Sequence, residues 1–112
     1  MSANQQKRAH YHQVAKAKKL VGDQVRDLAL GRDVKVSRPV IVEVIWFVPD
    51  KRKRDTDGLG PFLKAALDGL VQAGALEDDH SDFVPRTCMS INKFEMDNPR
   101  IEVAITEMIG EP

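Results

Sequence analysis

Residues 51–57, KRKRDTD, set four consecutive cations against two carboxylates spaced Asp-x-Asp, and the chain then runs into a segment of helical periodicity. Residues two apart point to the same side of an extended chain, so the carboxylates of Asp55 and Asp57 converge if a preceding strand conformation persists. Two like charges held together repel, and cations, protonation or a bound divalent metal relieve the repulsion. Oxygen-only ligands favour Mg²⁺ or Mn²⁺, hard cations that keep several waters and leave positions for phosphate. Lys51, Arg52, Lys53 and Arg54 offer contacts to a phosphate backbone, each neutralised phosphate releasing a counterion. Either half alone reads more simply as a solvated turn. Their juxtaposition is harder to attribute to solubility, because acids alone repel a nucleic acid and metal-dependent cleavage of one needs both signs in one place.

A third carboxylate would strengthen that chemistry, and Asp78 and Asp79 stand in EDDHSD, after Gly74. A helix of about 14 residues runs roughly 20 Å, so this segment approaches Asp55 only if the chain doubles back, and spacing does not choose between the two acids. Other candidates are weaker. His10 and His12 lack a neighbouring Cys or third His and read as exposed helix residues. His80 is a proton shuttle by type but stands alone in a loop, and Trp46 lies in an apolar run and reads as core. Neither a nucleophile-elbow nor a P-loop pattern occurs.

The elements that must position these residues follow from periodicity. Val14, Ala17, Val21, Val25 and Leu28 recur at helical spacing, with Lys16, Lys19, Asp23 and Arg26 off the stripe and Gly31 as a C-terminal cap. Val40–Val48, bounded by Pro39 and Pro49, is rich in β-branched and aromatic residues; interrupted only by Glu43, it predicts a central strand buried on both faces. A second helix starts near Pro61, buries Phe62, Leu63, Ala66, Leu67, Leu70 and Val71, and ends at Gly74. CMSINKFEM and RIEVAITEM alternate apolar and polar residues around DNP, which predicts an antiparallel hairpin. The order helix, strand, helix, strand, strand predicts an α+β fold, a small mixed sheet packed against two helices, in one domain over residues 1–112.

Composition sets the outer limits. A chain of 112 residues buries roughly two-thirds of its unfolded surface in one modest core. With 42% hydrophobic and 30% charged residues it is globular rather than disordered. Its net charge is zero but segregated: Lys7, Arg8, Lys16, Lys18 and Lys19 precede the first acid, Asp23, whereas residues 77–82 are acidic. The lone Cys88 excludes an internal disulfide and argues against a Cys-based zinc site, as in a reducing compartment. The apolar run Pro39–Pro49 falls far short of the ~20 residues of a membrane helix, and no signal-peptide stretch opens the chain. The cytoplasm is the expected location.

The string VPDKRKRDTDGLGPFLKAALDGLVQAGALEDD resembles the signature of RusA-type Holliday-junction resolvases. In that family a basic run precedes Asp-x-Asp-Asn, a lysine follows on the next helix, and that helix leads to a paired Asp. IEVAITEM is similar to the family's last strand and SANQQKRAH to its N-terminal basic turn, so the resemblance spans nearly the whole chain and is strongest over Pro49–Asp79. It implies metal binding by Asp55, Asp57 and Asp79 and a catalytic Lys64. The family spacing of fifteen residues between the lysine and the last acid selects Asp79 over Asp78. It further implies Mg²⁺, with Mn²⁺ as the alternative, and paired symmetric nicks in a four-way DNA junction by a homodimer in a bacterial or phage-infected cell. Lys51, Arg52, Lys53, Arg54, Lys7 and Arg8 would contact backbone phosphates.

Three departures from the family pattern stand out. Gly58 replaces the usual Asn, GLG and Pro61 lengthen the gap from Asp57 to Lys64 by about three residues, and the family's further N-terminal strand has no counterpart before Met1. The last implies a sheet lacking an edge strand or a start lying upstream. Two other expectations therefore stand beside the resolvase: a non-catalytic branched-DNA-binding protein, and a metal-dependent enzyme acting on small phosphorylated or nucleotide-sugar substrates, for which no nucleotide pocket is evident.

Overall fold

The strand Val40–Phe47, β1, is the middle of a three-stranded sheet of order β2-β1-β3, in a computed structural model that describes the backbone of residues 3–108 and the side chains of residues 16–108. Before β1 comes the helix α1, Ala3–Gly31; after it come a 3₁₀ turn at Thr56–Leu59, the helix α2 at Gly60–Gln72, and the strands β2, Arg86–Asn92, and β3, Arg100–Glu107. One mixed sheet and two helices make an α+β architecture, as expected.

The predicted hairpin does not form. β2 pairs parallel with β1, from Ile41↔Arg86 to Phe47↔Asn92, whereas β3 pairs antiparallel on the other side of β1, from Val40↔Glu107 to Phe47↔Arg100. Alternation specifies a strand but not its neighbour. The most apolar strand takes the centre, and the segment 93–99 is long enough to cross the two strand spacings, about 10 Å, between β2 and β3.

The two faces of β1 also differ. Val40, Val42 and Val44 are fully buried, but Ile41, Glu43 and Ile45 are only half-buried, so burial on both faces is not what the sheet achieves. Glu43 is accommodated on the more open face, where the Ser90 hydroxyl donates to its carboxylate at 2.8 Å. Trp46 is half-buried, not core, and carries a cation over its ring.

Leu63, Ala66, Leu67 and Leu70 of α2 join the β1 valines in the core. Pro61 lies in the first turn of α2, as expected. The helix ends in a Schellman arrangement: Gly74, at φ +76°, donates to the Val71 carbonyl at 3.0 Å, and Ala75 to that of Leu70 at 2.9 Å. At the end of α1 the left-handed residue is Asp33, at φ +51°, not Gly31, which stays inside the last turn. Asp33 donates to Leu30 and Val34 to Ala29, the same pair of bonds.

The predicted stripe of α1 is only partly the buried one. Val21 and Val25 are half-buried, Ala17 and Leu28 are exposed, Ala29 is buried, and the Val14 side chain lies outside the described residues. The helix rests on α2 through small residues: a Cβ added at Gly69 would stand 2.5 Å from the Gly22 carbonyl oxygen. A search for large apolar side chains passes over such a contact. Leu28 instead lines an open groove between α1 and β3, together with Val21, Val25, Ile101, Val103 and Ile105.

Candidate functional site

β1 gives way to a loop at the edge where the parallel pair β1/β2 ends. Val48 still donates to the Asn92 carbonyl at 3.1 Å, and Pro49 then releases the chain from the ladder. Asp50 organises this loop. Its Oδ1 accepts from the Arg52 amide at 3.0 Å and from Arg54 Nη2 at 2.8 Å, while Arg54 Nη1 donates to the carbonyls of Asp50 and Arg52. The Arg54 guanidinium lies 5.0 Å from the centre of the Trp46 ring. The Arg52 amide and then the Arg54 guanidinium hold the Asp50 carboxyl below the usual carboxylate range.

The basic run is therefore not uniform. The Arg54 side chain is only 16% exposed and its donors are used inside the loop; Arg52 is 84% exposed, 3.5 Å from Asp50, and Lys51 and Lys53 face solvent. The side chains of Lys7 and Arg8 lie outside the described residues.

Asp55 is extended, at φ −91° and ψ 127°, but the chain turns at once into the 3₁₀ segment that holds Asp57. Gly58 donates to the Asp55 carbonyl at 3.1 Å. The alternation expected of Asp-x-Asp thus stops at its first member. Both acids are exposed, and neither makes an ion pair among the described residues. The longer gap to Lys64 becomes this turn and the first turn of α2, anchored by the buried Leu59. Nothing steric demands glycine at position 58, where an added Cβ meets nothing within 4 Å.

On α2, Lys64 Nζ donates to Asp79 Oδ2 at 2.6 Å and stands 3.2 Å from Asp68 Oδ1. Asp79 reaches it because the chain turns back along α2 after Gly74: Ala75 and Leu76 are buried, and the Ala75 carbonyl accepts from Val36 at 2.9 Å. Asp78 is directed elsewhere, its Oδ1 taking the Asp79 amide proton at 2.7 Å. The Lys64 hydrogen bond holds the Asp79 carboxyl below its ordinary range, and the bonds from Asp79 and then Asp68 hold the Lys64 ammonium above its own. His80 accepts the Asp82 amide at Nδ1 and packs at 4.8 Å from Phe83, a loop-forming role.

Sequence reasoning passed over two residues here. Asp68 was legible as an i,i+4 partner of Lys64; Asp50 was not, because its bonds depend on a loop path that no periodicity encodes.

Asp55, Asp57 and Asp79 offer only oxygen donors, the set that Mg²⁺ or Mn²⁺ prefers, so the chemistry fits a hard divalent cation. Among the described residues no three acidic, His or Cys side chains are gathered as a metal-holding group. The arrangement is thus two exposed acids on one loop and a third already neutralised by a lysine.

The sequence comparisons bear on the same segment. The family model described as Endodeoxyribonuclease RusA matches residues 2–106. A crossover junction endodeoxyribonuclease RusA of Escherichia coli K12 is 36% identical over 80 residues, covering 70% of this chain and 61% of the relative. That of Enterobacteria phage 82 is 35% identical over the same shares, and that of Enterobacteria phage HK97 is 33% identical over 93 residues, 83% of this chain and 71% of the relative. The chain thus spans about three-fifths of the length of the bacterial relatives it matches. With a family match over almost its whole length and relatives above 30% identity, this chain belongs to the RusA endodeoxyribonuclease family.

Proposed function

We propose that this chain is a divalent-metal-dependent endodeoxyribonuclease that resolves four-way DNA junctions by paired, symmetric nicks. Family membership supports the reaction class. The observation that carries the reading in this molecule is the 2.6 Å contact of Lys64 with Asp79, which joins the two family positions across fifteen residues.

Asp55, Asp57 and Asp79 are the residues that would hold the metal. When bound, such an ion supplies Lewis-acid charge at the scissile phosphate and a more acidic water. Lys64, held in its charged form by Asp79 and Asp68, contributes positive charge for the negative charge that develops on the phosphate or the leaving oxygen. Water adds to phosphorus, the bond to the 3′-oxygen breaks and that oxygen takes a proton, leaving a 5′-phosphate and a 3′-hydroxyl. Lys51 and Lys53, exposed at the loop surface, contact backbone phosphates and so position the duplex without reading sequence. A four-way junction has near two-fold symmetry, and a homodimer with C₂ symmetry sets one site at each of two opposed strands. All 112 residues are assigned to this one nuclease domain.

A second reading, a branched-DNA-binding protein without cleavage, draws on the dispersal of the three acids among the described residues. One experiment separates the two. A labelled four-way junction and a linear duplex are incubated with Mg²⁺, Mn²⁺ or chelator and with wild type or Asp57→Asn. Paired, metal-dependent nicks that vanish in the variant while binding survives are the expected result. Tight junction binding with no cleavage in either metal favours the second reading.

A further inference from the structure

Phe94 is 93% exposed, whereas the other exposed large hydrophobics among the described residues lie between 37% and 58%. Its place in the fold is specific. β1 and β2 run parallel and end together at Phe47↔Asn92, so the loop after β2, residues 93–99, leaves the same edge of the sheet as the loop that carries Lys51–Asp57. The 3₁₀ turn holding Asp57 packs beside β2.

The loop is also braced. The Phe94 amide donates to Asn92 Oδ1 at 2.8 Å, Asn98 donates to the Glu95 carbonyl at 3.2 Å, and Arg100 ties Glu95 and the Asn98 carbonyl at 2.8 and 2.9 Å. The Arg100 guanidinium is itself seated 3.7 Å from the centre of the Phe47 ring. These bonds engage Glu95 and the Asn98 backbone and leave the one aromatic ring of the loop outside. The neighbours Lys93, Glu95 and Asp97 give the loop no cationic excess, so it is not built to follow a phosphate backbone. What an exposed aromatic at this edge can contact on DNA is the face of a base, and a branch point is where base faces become accessible.

We infer that Phe94 is a specificity-determining residue that stacks on bases at the branch point and so favours branched over linear DNA; this rests on the junction-acting reading above. Aromatic side chains do this without sequence preference, because every base has a π-face. The test compares dissociation constants for a four-way junction and a linear duplex of the same arm sequence, for wild type, Phe94→Ala and Phe94→Trp. Junction affinity is expected to fall about tenfold in Phe94→Ala, with duplex affinity unchanged and Phe94→Trp close to wild type. An unchanged junction-to-duplex ratio in Phe94→Ala overturns the inference, as does a parallel loss on both DNAs or a change confined to self-association in sedimentation. If wild type neither prefers nor cuts the junction, the parent reading fails as well; if wild type does both and only the Phe94 effect is missing, this inference alone falls.

Discussion

Loop 50–55, ahead of α2, mixes acids with cations, whereas loop 77–82, behind it, is acidic and finds its cation on the helix, so the two use their charges in different ways. The first turns its pairing inward: Asp50 binds Arg52 and Arg54, and Asp55 and Asp57 are left exposed beyond that knot. The second turns outward: Asp79 reaches across to Lys64 on the helix, while Asp78 caps the neighbouring amide. One loop closes on itself and leaves its outer acids exposed. The other holds its acid in reserve against a lysine. A cation reaching Asp79 must displace Lys64, whereas one reaching Asp55 or Asp57 meets no ion pair among the described residues.

The largest effect that would test this contrast is loss of an available acid. Removing one charge partner of a transition state costs about 10²–10³ in rate, and Asp57→Asn is expected to exceed that in junction nicking while junction binding persists. A rate within about tenfold of wild type would deny Asp57 its assigned part.

Lys64→Ala is expected to cost about 10²–10³ in rate, and it has a second readout. Asp79 is depressed in the folded state by Lys64, so its contribution to stability is present above the ordinary carboxylate range and is lost as pH falls through its lowered value. Lys64, raised by Asp79, contributes below its ordinary value and loses this as pH rises through its higher folded one. Carboxyl-carbon NMR should therefore find the Asp79 midpoint moving up in Lys64→Ala. A midpoint that stays put would mean that the pair does not persist in solution.

Gly69→Ala acts one step further from the chemistry, by forcing α1 off α2 where the Gly22 carbonyl lies 2.5 Å from the added atom. Such overpacking costs roughly 1–3 kcal/mol, to be read by chemical denaturation. Because Gly69 lies just over a helical turn beyond Lys64, the Asp79 titration in this variant also tests whether the α1–α2 contact sets the position of the lysine.

The smallest effect sharpens the division within the basic run. Arg54→Ala removes the contact with Trp46, of order 0.5–1 kcal/mol, together with the bonds to Asp50 and the Arg52 carbonyl, and is expected to lower stability with little change in the salt dependence of DNA binding. The double variant Lys51→Ala/Lys53→Ala should do the reverse, reducing the slope of log K against log salt by about 2 at unchanged stability. Equal slopes in the two variants would return Arg54 to the phosphate-contacting set.

The elements of this molecule were readable in proportion to how local their causes are. α2 has a proline in its first turn, a regular apolar face and Gly74 at its end, and all three appear in place. β1 is central because its apolar run is the densest in the chain. The hairpin failed because alternation in residues 88–96 and 100–108 describes strands and is silent on partners. The stripe of α1 departs from expectation at Leu28, since the helix meets α2 through Gly22, whose lack of a side chain permits the close approach to Ala65 and Gly69.

The same division runs through the candidate site. Sequence alone determined which residue types are present and how far apart: a basic run, Asp-x-Asp, and a lysine fifteen residues before Asp79. These are covalent facts, and short-range rules turn them into a helix, a turn and an i,i+4 pair. Tertiary structure decided that Asp79 and not Asp78 meets Lys64, that Arg54 folds back on Asp50 and Trp46 while Lys51 and Lys53 stay exposed, and that Asp57 leaves the extended path of Asp55. Those outcomes depend on where a loop is anchored by buried residues such as Leu59, Ala75 and Leu76. An anchor of that kind is set by the packing of the whole core and leaves no mark in local spacing.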